Sequence, residues 1–198
     1  IRDRFELIVI DDGSTDQGRG WLEERAMQDP RIRVVANPGR GLVDALNYGI
    51  AQARAGYIAR MDADDIAMPE RFEKQVAFLD SHPMVAVVGG QHQFISESGE
   101  IFGKASNFPV DSREIAESLI EKGCLLSHPT IMARRDALRA VGGYRAALNY
   151  AEDYDLWLRM SEKFPLANLS YLALLYRQHA KQISVEHHLD QHLAHSLS

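Results

Sequence analysis

Along the first half of the chain, short apolar runs alternate with segments of helical period, and that alternation constrains the fold more than any other feature. The apolar runs fall at residues 5–10, 31–36, 57–61 and 84–88, with β-branched residues concentrated in them. Between them, residues 20–28, 42–53 and the stretch after Pro69 have helical spacing. Leu42, Ala45, Leu46, Gly49, Ile50 and Ala53 trace one stripe, and Phe72, Val76 and Leu79 trace another. Asp29-Pro30, Asn37-Pro38-Gly39, Gly56 and His82-Pro83 punctuate the series, and Gly89-Gly90 closes the fourth run. Such an order predicts an α/β fold with a mostly parallel, Rossmann-like sheet flanked by helices. Ligands in such sheets bind beyond the carboxyl ends of the strands.

The second half is less regular. Phe94-Ile95 and Ile101-Phe102 flank a turn and predict a hairpin. Asp111-Ser112-Arg113-Glu114 resembles a capping box opening a helix to about residue 122. Residues 128–132 read as a strand, 135–141 as a short helix ended by Gly142-Gly143, and Glu152-Asp153 as the start of a longer helix carrying Leu156, Trp157, Met160 and Phe164. Residues 166–177 hold one or two short strands, and a last helix is expected from Gln182. No linker splits the chain. One domain is expected, with a regular half at 1–90 and a less regular half at 91–198.

Four clusters carry possible chemistry. Asp62, Asp64 and Asp65 crowd three carboxylates into four residues at the end of a strand. Carboxylates so close need solvent, a proton or a shared cation. An Asp-x-Asp there suits Mg²⁺ or Mn²⁺ bound together with a diphosphate, and a capping turn before the next helix is the alternative. Asp11-Asp12, also at a strand end, can accept hydrogen bonds from a nucleobase or ribose, or cap the helix that follows. Tyr150 to Trp157 contains Glu152, Asp153 and Asp155 in a helix's first turn. There they complement the helix dipole, or one of them serves as a general base. Arg177 and His179, with Lys181 and Ser184, form either a flap over phosphates or a solvated basic loop. His187, His188, His192 and His195 read as an exposed helix face in preference to a metal site.

Composition removes several classes. A net charge of −6 argues against a general nucleic-acid binder. Cys124, the one cysteine, excludes an intrachain disulfide and suits a reducing compartment. No apolar run approaches the roughly 18 residues needed to span a bilayer. An aspartate-phosphorylating phosphohydrolase wants Thr or Ser soon after its second Asp, where this chain has Asp65-Ile66-Ala67. A signalling receiver domain would be shorter and carry a Lys at a later strand end. A non-catalytic binding protein for the same ligand class stays open as an alternative.

Taken together, the motifs resemble those of family 2 inverting glycosyltransferases, which have the GT-A fold. The matching segments are residues 7–16, 41–50, 59–65 and 69–72, then His128-Pro129-Thr130, Gly142-Gly143-Tyr144 and residues 152–157. The resemblance implies transfer of a hexosyl or hexosaminyl group from a nucleotide-diphosphate sugar to a hydroxyl of a carbohydrate or lipid-linked acceptor, with Mg²⁺ or Mn²⁺. Polysaccharide, lipopolysaccharide or glycoconjugate synthesis is the implied setting, in the cytoplasm or at the inner face of the cell membrane. It implies Asp153 as catalytic base and Asp11, Asp12, Asn47, Asp62, Arg177 and His179 around the nucleotide sugar. Asp62, Asp64 and Asp65 are the implied metal ligands, and His128 and Glu152 lie on the acceptor side. Family members also begin with a further strand and helix, so roughly 35 residues, one βα unit, are expected before Ile1.

Overall fold

A computed structural model of the chain describes residues 5–121, 123–148 and 151–179. The first apolar run forms β1 (Leu7–Asp11), and α1 (Gly18–Gln28) leads to β2 (Ile32–Ala36). β1 and β2 pair in parallel, with Leu7 opposite Ile32 and Asp11 opposite Ala36. α2 (Gly41–Gln52) follows; Val43 and Ile50 are buried, and Ile10 of β1 lies against Gly49. The chain then forms β3 (Tyr57–Ala59), β4 (Ile66–Ala67) and α3 (Arg71–Ser81). β5 (Val87–Ile95) and β6 (Ile101–Phe102) make the expected hairpin, with Phe94 opposite Phe102. Next come α4 (Ser112–Glu121), β7 (Met132–Arg134), α5 (Arg135–Ala140), α6 (Glu152–Ser161) and β8 (Leu166–Arg177). Asp111 Oδ1 accepts the N–H groups of Arg113 and Glu114 at 2.9 and 3.2 Å, so it caps α4 as its sequence suggests.

The larger sheet has the order β3-β7-β5-β8-β4, with β6 also on β5. Its neighbour pairs are mixed and not mostly parallel: β5–β8 is parallel, and β3–β7, β7–β5, β5–β6 and β8–β4 are antiparallel. The cause is β7, which comes from the second half and inserts between β3 and β5 against the direction of both. β3, β5 and β8 therefore still run the same way, with β3 ending level with Val88 and β5 and β8 running on to Ile95 and Arg177. The β1–β2 pair is not hydrogen-bonded to this sheet among the described residues, and α1 buries no residue.

Alternate residues of the sheet feed two cores, as the strand period requires. Val87, Ala133 and Leu166 pack with α4, α5 and α6, around Ile115, Leu138, Leu156 and Trp157. Val88, Met132 and Ala167 face Leu79 of α3. Several expectations are corrected. Gly89-Gly90 does not end a strand: β5 runs through it, so the two halves of the chain share this strand. A Cβ on Gly89 would sit 2.2 Å from Asn168 Oδ1, and one on Gly90 2.7 Å from the Ala173 Cβ, so the pair is there to let β8 approach. His128–Thr130 is a 3₁₀ turn, with β7 starting only at Met132. Residues 166–177 form one long strand. The buried face of α3 is Arg71, Gln75 and Leu79, while Phe72 is exposed. The helix expected from Gln182, with Lys181, Ser184 and the four histidines, and Tyr150 fall outside the described residues.

Candidate active site at the carboxyl edge of the sheet

The three carboxylates after β3 have three different environments. Asp62 is gripped by Arg60 through two contacts of 2.5 Å. Asp64 Oδ2 lies 3.2 Å from His179 Nε2. Asp65 is 7% exposed; its Oδ1 accepts the Arg177 N–H at 2.8 Å, and its Oδ2 is buried without a hydrogen-bond partner among the described residues. Burial pushes the Asp65 carboxyl up to about 7; the Arg177 N–H opposes this, and the charges of Asp62 and Asp64 add to it. β4 pairs with the end of β8, Ile66 opposite Leu175, which sets the acidic loop beside Arg177 and His179.

Arg177 is engaged with the main chain around the loop. Its Nε donates to the Asp64 carbonyl at 2.8 Å, and its Nη1 donates to the carbonyls of Ser96 and Glu97 at 3.0 and 2.9 Å. It staples the β5–β6 turn to the acidic loop.

As metal ligands the three acids do not converge: no group of three His, Cys, Asp or Glu side chains surrounds one point among the described residues. Asp62 is committed to Arg60. The donors that fit a cation are Asp64 and His179, with the unpartnered Asp65 Oδ2 as a further hard oxygen. Carboxylate with imidazole suits Mn²⁺ better than Mg²⁺, which takes oxygen donors, when diphosphate and water complete the shell.

Beneath the loop lies a support that sequence reasoning missed. Arg71 is fully buried, and burial pulls its guanidinium down to about 10. Its Nη2 donates to the carbonyls of Arg60 at 2.7 Å and Ile131 at 3.3 Å. Gln75 donates to Val88 and Thr130 at 3.1 and 2.7 Å. The signal in the sequence was two polar residues at i and i+4 in line with Leu79.

At the end of β1, Asp11 accepts the Ser14 N–H at 3.0 Å and the Arg19 guanidinium at 3.1 Å, and these bonds hold its carboxyl below the usual range. Asp12 is exposed, yet both its oxygens are engaged, one by Asn37 at 2.7 Å and the other by the Gly41 N–H at 2.9 Å. It ties down the β2–α2 turn. Gly41 has φ 77°, a conformation that glycine adopts without strain. Asn47 pairs with the main chain of Tyr144, donating to its carbonyl and accepting its N–H, both at 2.9 Å. Its amide is a clamp between α2 and the Gly142-Gly143 turn.

His128 is buried, with Nε2 2.7 Å from the Tyr144 hydroxyl and its ring edge-on to Trp157. Burial, with the Arg60 charge adding to it, holds His128 well below its ordinary value, so it is neutral. Burial pushes Tyr144 up; Arg60 opposes this, and Asp153, Glu152 and Asp62 reinforce it. One buried hydroxyl thus feels charges from both the acidic loop and the start of α6, so both elements lie near Tyr144. Glu152 is buried there. Asp153, half-buried, accepts the Tyr154 N–H at 2.7 Å in the first turn of α6, where the helix dipole favours its charge. Tyr144 and Arg60 lie in segments that carry the family resemblance, but the sequence assigns neither of them a role.

Comparison with known proteins bears on the family and the fold. The chain is 34% identical over 166 residues to the amylovoran biosynthesis glycosyltransferase AmsE of Erwinia amylovora, covering 83% of this chain and 61% of that protein. It is 35% identical over 181 residues to the O-antigen biosynthesis glycosyltransferase WbnJ of Escherichia coli, covering 89% of this chain and 69% of that one. Against the putative glycosyltransferase EpsE of Bacillus subtilis, at 37% identity, the chain spans 57% of the relative's length. In structure it is similar to S. aureus TarS in complex with UDP-GlcNAc, with a TM-score of 0.68, 20% identity, and 92% of this chain and 52% of that chain covered. It is also similar to the mannosyltransferase PcManGT of Pyrobaculum calidifontis in complex with GDP-Man and Mn²⁺, with a TM-score of 0.68 at 17% identity, over 100% of this chain and 56% of that one. The fold is GT-A. With the glycosyl transferase family 2 model matching residues 1–142, the chain belongs to that family.

Proposed function

We propose that the protein is a metal-dependent inverting glycosyltransferase that moves a sugar from a nucleotide-diphosphate sugar to an acceptor hydroxyl in polysaccharide or O-antigen synthesis. The observation that carries this reading is the pairing of Asp64 with His179 after β3, with Asp153 at the start of α6 near enough for the buried Tyr144 hydroxyl to feel both Asp153 and Asp62. The UDP-GlcNAc and GDP-Man complexes of the similar structures support a nucleotide-sugar donor, and the Mn²⁺ in one of them supports a divalent cation.

Asp64 and His179 are the proposed cation ligands, with Asp65 behind them and Asp62 toward the ribose. A divalent cation, when bound, offsets the charge that grows on the leaving diphosphate. Asp11 and Asp12 shape the nucleobase side, Asp12 through the turn it ties. Asn47 and Arg177 position the elements around the nucleotide sugar, and His128 and Glu152 line the acceptor side. Asp153 takes the proton of the acceptor hydroxyl as that oxygen attacks the anomeric carbon, and the bond from that carbon to the diphosphate breaks. One displacement inverts the configuration and needs no nucleophilic side chain. Cys124 fits this: its thiol is pushed well up by burial and by the Asp153 charge, which removes it as a nucleophile. Among the described residues no helix is long and apolar enough to cross a membrane, so association with a membrane-bound acceptor would be peripheral in this part of the molecule.

Thermal-shift measurements with a set of nucleoside diphosphates, with and without Mn²⁺, test the donor side. Stabilisation by one base, dependent on the metal, is expected. Asp153→Asn is expected to lower the transfer rate by about 10²–10⁴-fold while donor binding persists. Lost donor binding, or an intact rate, would remove Asp153 from the role of base.

A further inference from the structure

A face of the sheet carries five rings. His92 and Phe94 on β5, Phe102 on β6, Phe108 after the hairpin and Tyr176 at the end of β8 meet at centroid distances of 4.9 to 5.9 Å. The strand register brings them together: Phe94 stands opposite both Phe102 and Tyr176. None of the five is fully buried, and Phe102 is 42% exposed. A cluster serving only as core would close its rings from water; this one leaves Phe102 exposed and the other four rings partly accessible.

Its two ends identify what it is for. At one end Tyr176 leads directly into Arg177, whose bonds hold the Asp64–Asp65 loop, and His179 reaches Asp64. At the other, His92 Nδ1 lies 3.0 Å from Ser127 Oγ, and the next residue is His128, bonded to Tyr144 and edge-on to Trp157 of α6, the helix whose first turn holds Asp153. The rings therefore bridge the leaving-group side and the side of the proton acceptor. We propose that this aromatic face is the acceptor platform and that it takes a pyranose ring of the acceptor carbohydrate. A pyranose presents a face of C–H groups that stacks on the negative face of an aromatic ring, while its hydroxyls need polar partners at the rim. The rim supplies them: His92 Nε2 has no hydrogen-bond partner among the described residues. The proposal rests on the sugar-transfer reading and names the acceptor's chemical class.

The test is saturation-transfer NMR on the full-length protein, with the stabilising nucleotide and Mn²⁺ present. The probes are the methyl pyranosides of glucose, galactose, mannose and N-acetylglucosamine, which carry no lipid. At least one is expected to receive saturation at its ring C–H protons. Phe102→Leu keeps apolar bulk at an exposed site and removes the ring. It should weaken that sugar roughly fivefold, the worth of about 1 kcal/mol of ring contact, and Phe102→Tyr should retain it. Melting temperature and nucleotide-induced shift, read on the same samples, should stay as in the wild type for both variants. Nucleotide binding with no sugar contact, or a Phe102→Leu variant that binds sugar as the wild type does, overturns the platform. Failure of every nucleotide to bind instead overturns the transfer reading on which it rests.

Discussion

Arg177 offers the sharpest separation between a residue that binds phosphate and one that builds the site. Its guanidinium reaches three main-chain carbonyls, Asp64, Ser96 and Glu97, at 2.8 to 3.0 Å. Hydrogen bonds from a charged donor contribute about 1.5–3 kcal/mol each. Three bonds from one side chain are not independent, and the freed carbonyls of an exposed turn regain water, so Arg177→Ala should cost about 2–3 kcal/mol. For a chain of this size that lowers the melting temperature by about 5–10 °C. The Arg177 main-chain N–H still reaches Asp65 in the variant, so the loop loosens without coming apart. Arg177→Lys supplies one compact ammonium in place of a fork and should recover only a minor part of the loss. Thermal melting read beside Mn²⁺-dependent nucleotide binding decides the matter. A variant that melts like the wild type yet binds nucleotide more than tenfold more weakly would refute the staple and restore Arg177 as a phosphate ligand.

Three further outcomes follow from the same geometry. His179→Ala should abolish the Mn²⁺-dependent part of the nucleotide thermal shift while leaving the melting temperature of the free protein within a few degrees; an unchanged metal response would remove His179 from the ligand set. His128 and His92 are both held below their ordinary value by burial, so the unfolded chain takes up protons that the folded chain refuses. Stability is therefore full above about pH 6.5 and falls below it, by about 1.4 kcal/mol per pH unit for His128 alone. His128→Gln should flatten that slope in acid melts, and an unchanged slope would contradict it. Asn47→Leu leaves the N–H and carbonyl of Tyr144 without their partner and should cost about 1–3 kcal/mol in denaturant unfolding, where a change under 0.5 kcal/mol would argue against the clamp.

The order of strands and helices was legible because each element repeats a local period, and the acidic loop was legible because three carboxylates in four residues need a reason. What was not legible depends on partners remote in sequence. Gly89-Gly90 looks like a strand end until Asn168 and Ala173 are seen against it. Residues 128–132 have strand composition, but Pro129 opens a 3₁₀ turn that Thr130 closes, its N–H and hydroxyl both donating to the Ser127 carbonyl. Two-residue β4 is too short to show a period. Sheet direction could not be read from the first half either, because the strand that makes the neighbours antiparallel comes from the second. In the site, residue types were legible and their partners were not. Arg177 and Asn47 look like ligand-binding polar residues, and only the structure shows their donors on main-chain carbonyls.

That last difference has a general cause. A site beyond the carboxyl ends of strands stands where the ladder stops, and the carbonyls there still require donors. In this chain long polar side chains from neighbouring elements supply them. Arg71 covers the carbonyls of Arg60 and Ile131, Gln75 those of Val88 and Thr130, and Arg177 those of Asp64, Ser96 and Glu97. The same donors fix where Asp62, Asp64 and Asp65 point, since each carbonyl they hold belongs to the acidic loop or to a strand or turn beside it. A buried Arg on α3 costs desolvation, seen in the lowered value of Arg71, and it persists because the loop it supports must keep several acids close together near solvent. By sequence pattern Arg71 and Gln75 belong to a solvated helix face. Their burial is the mark of a strand-end site above them.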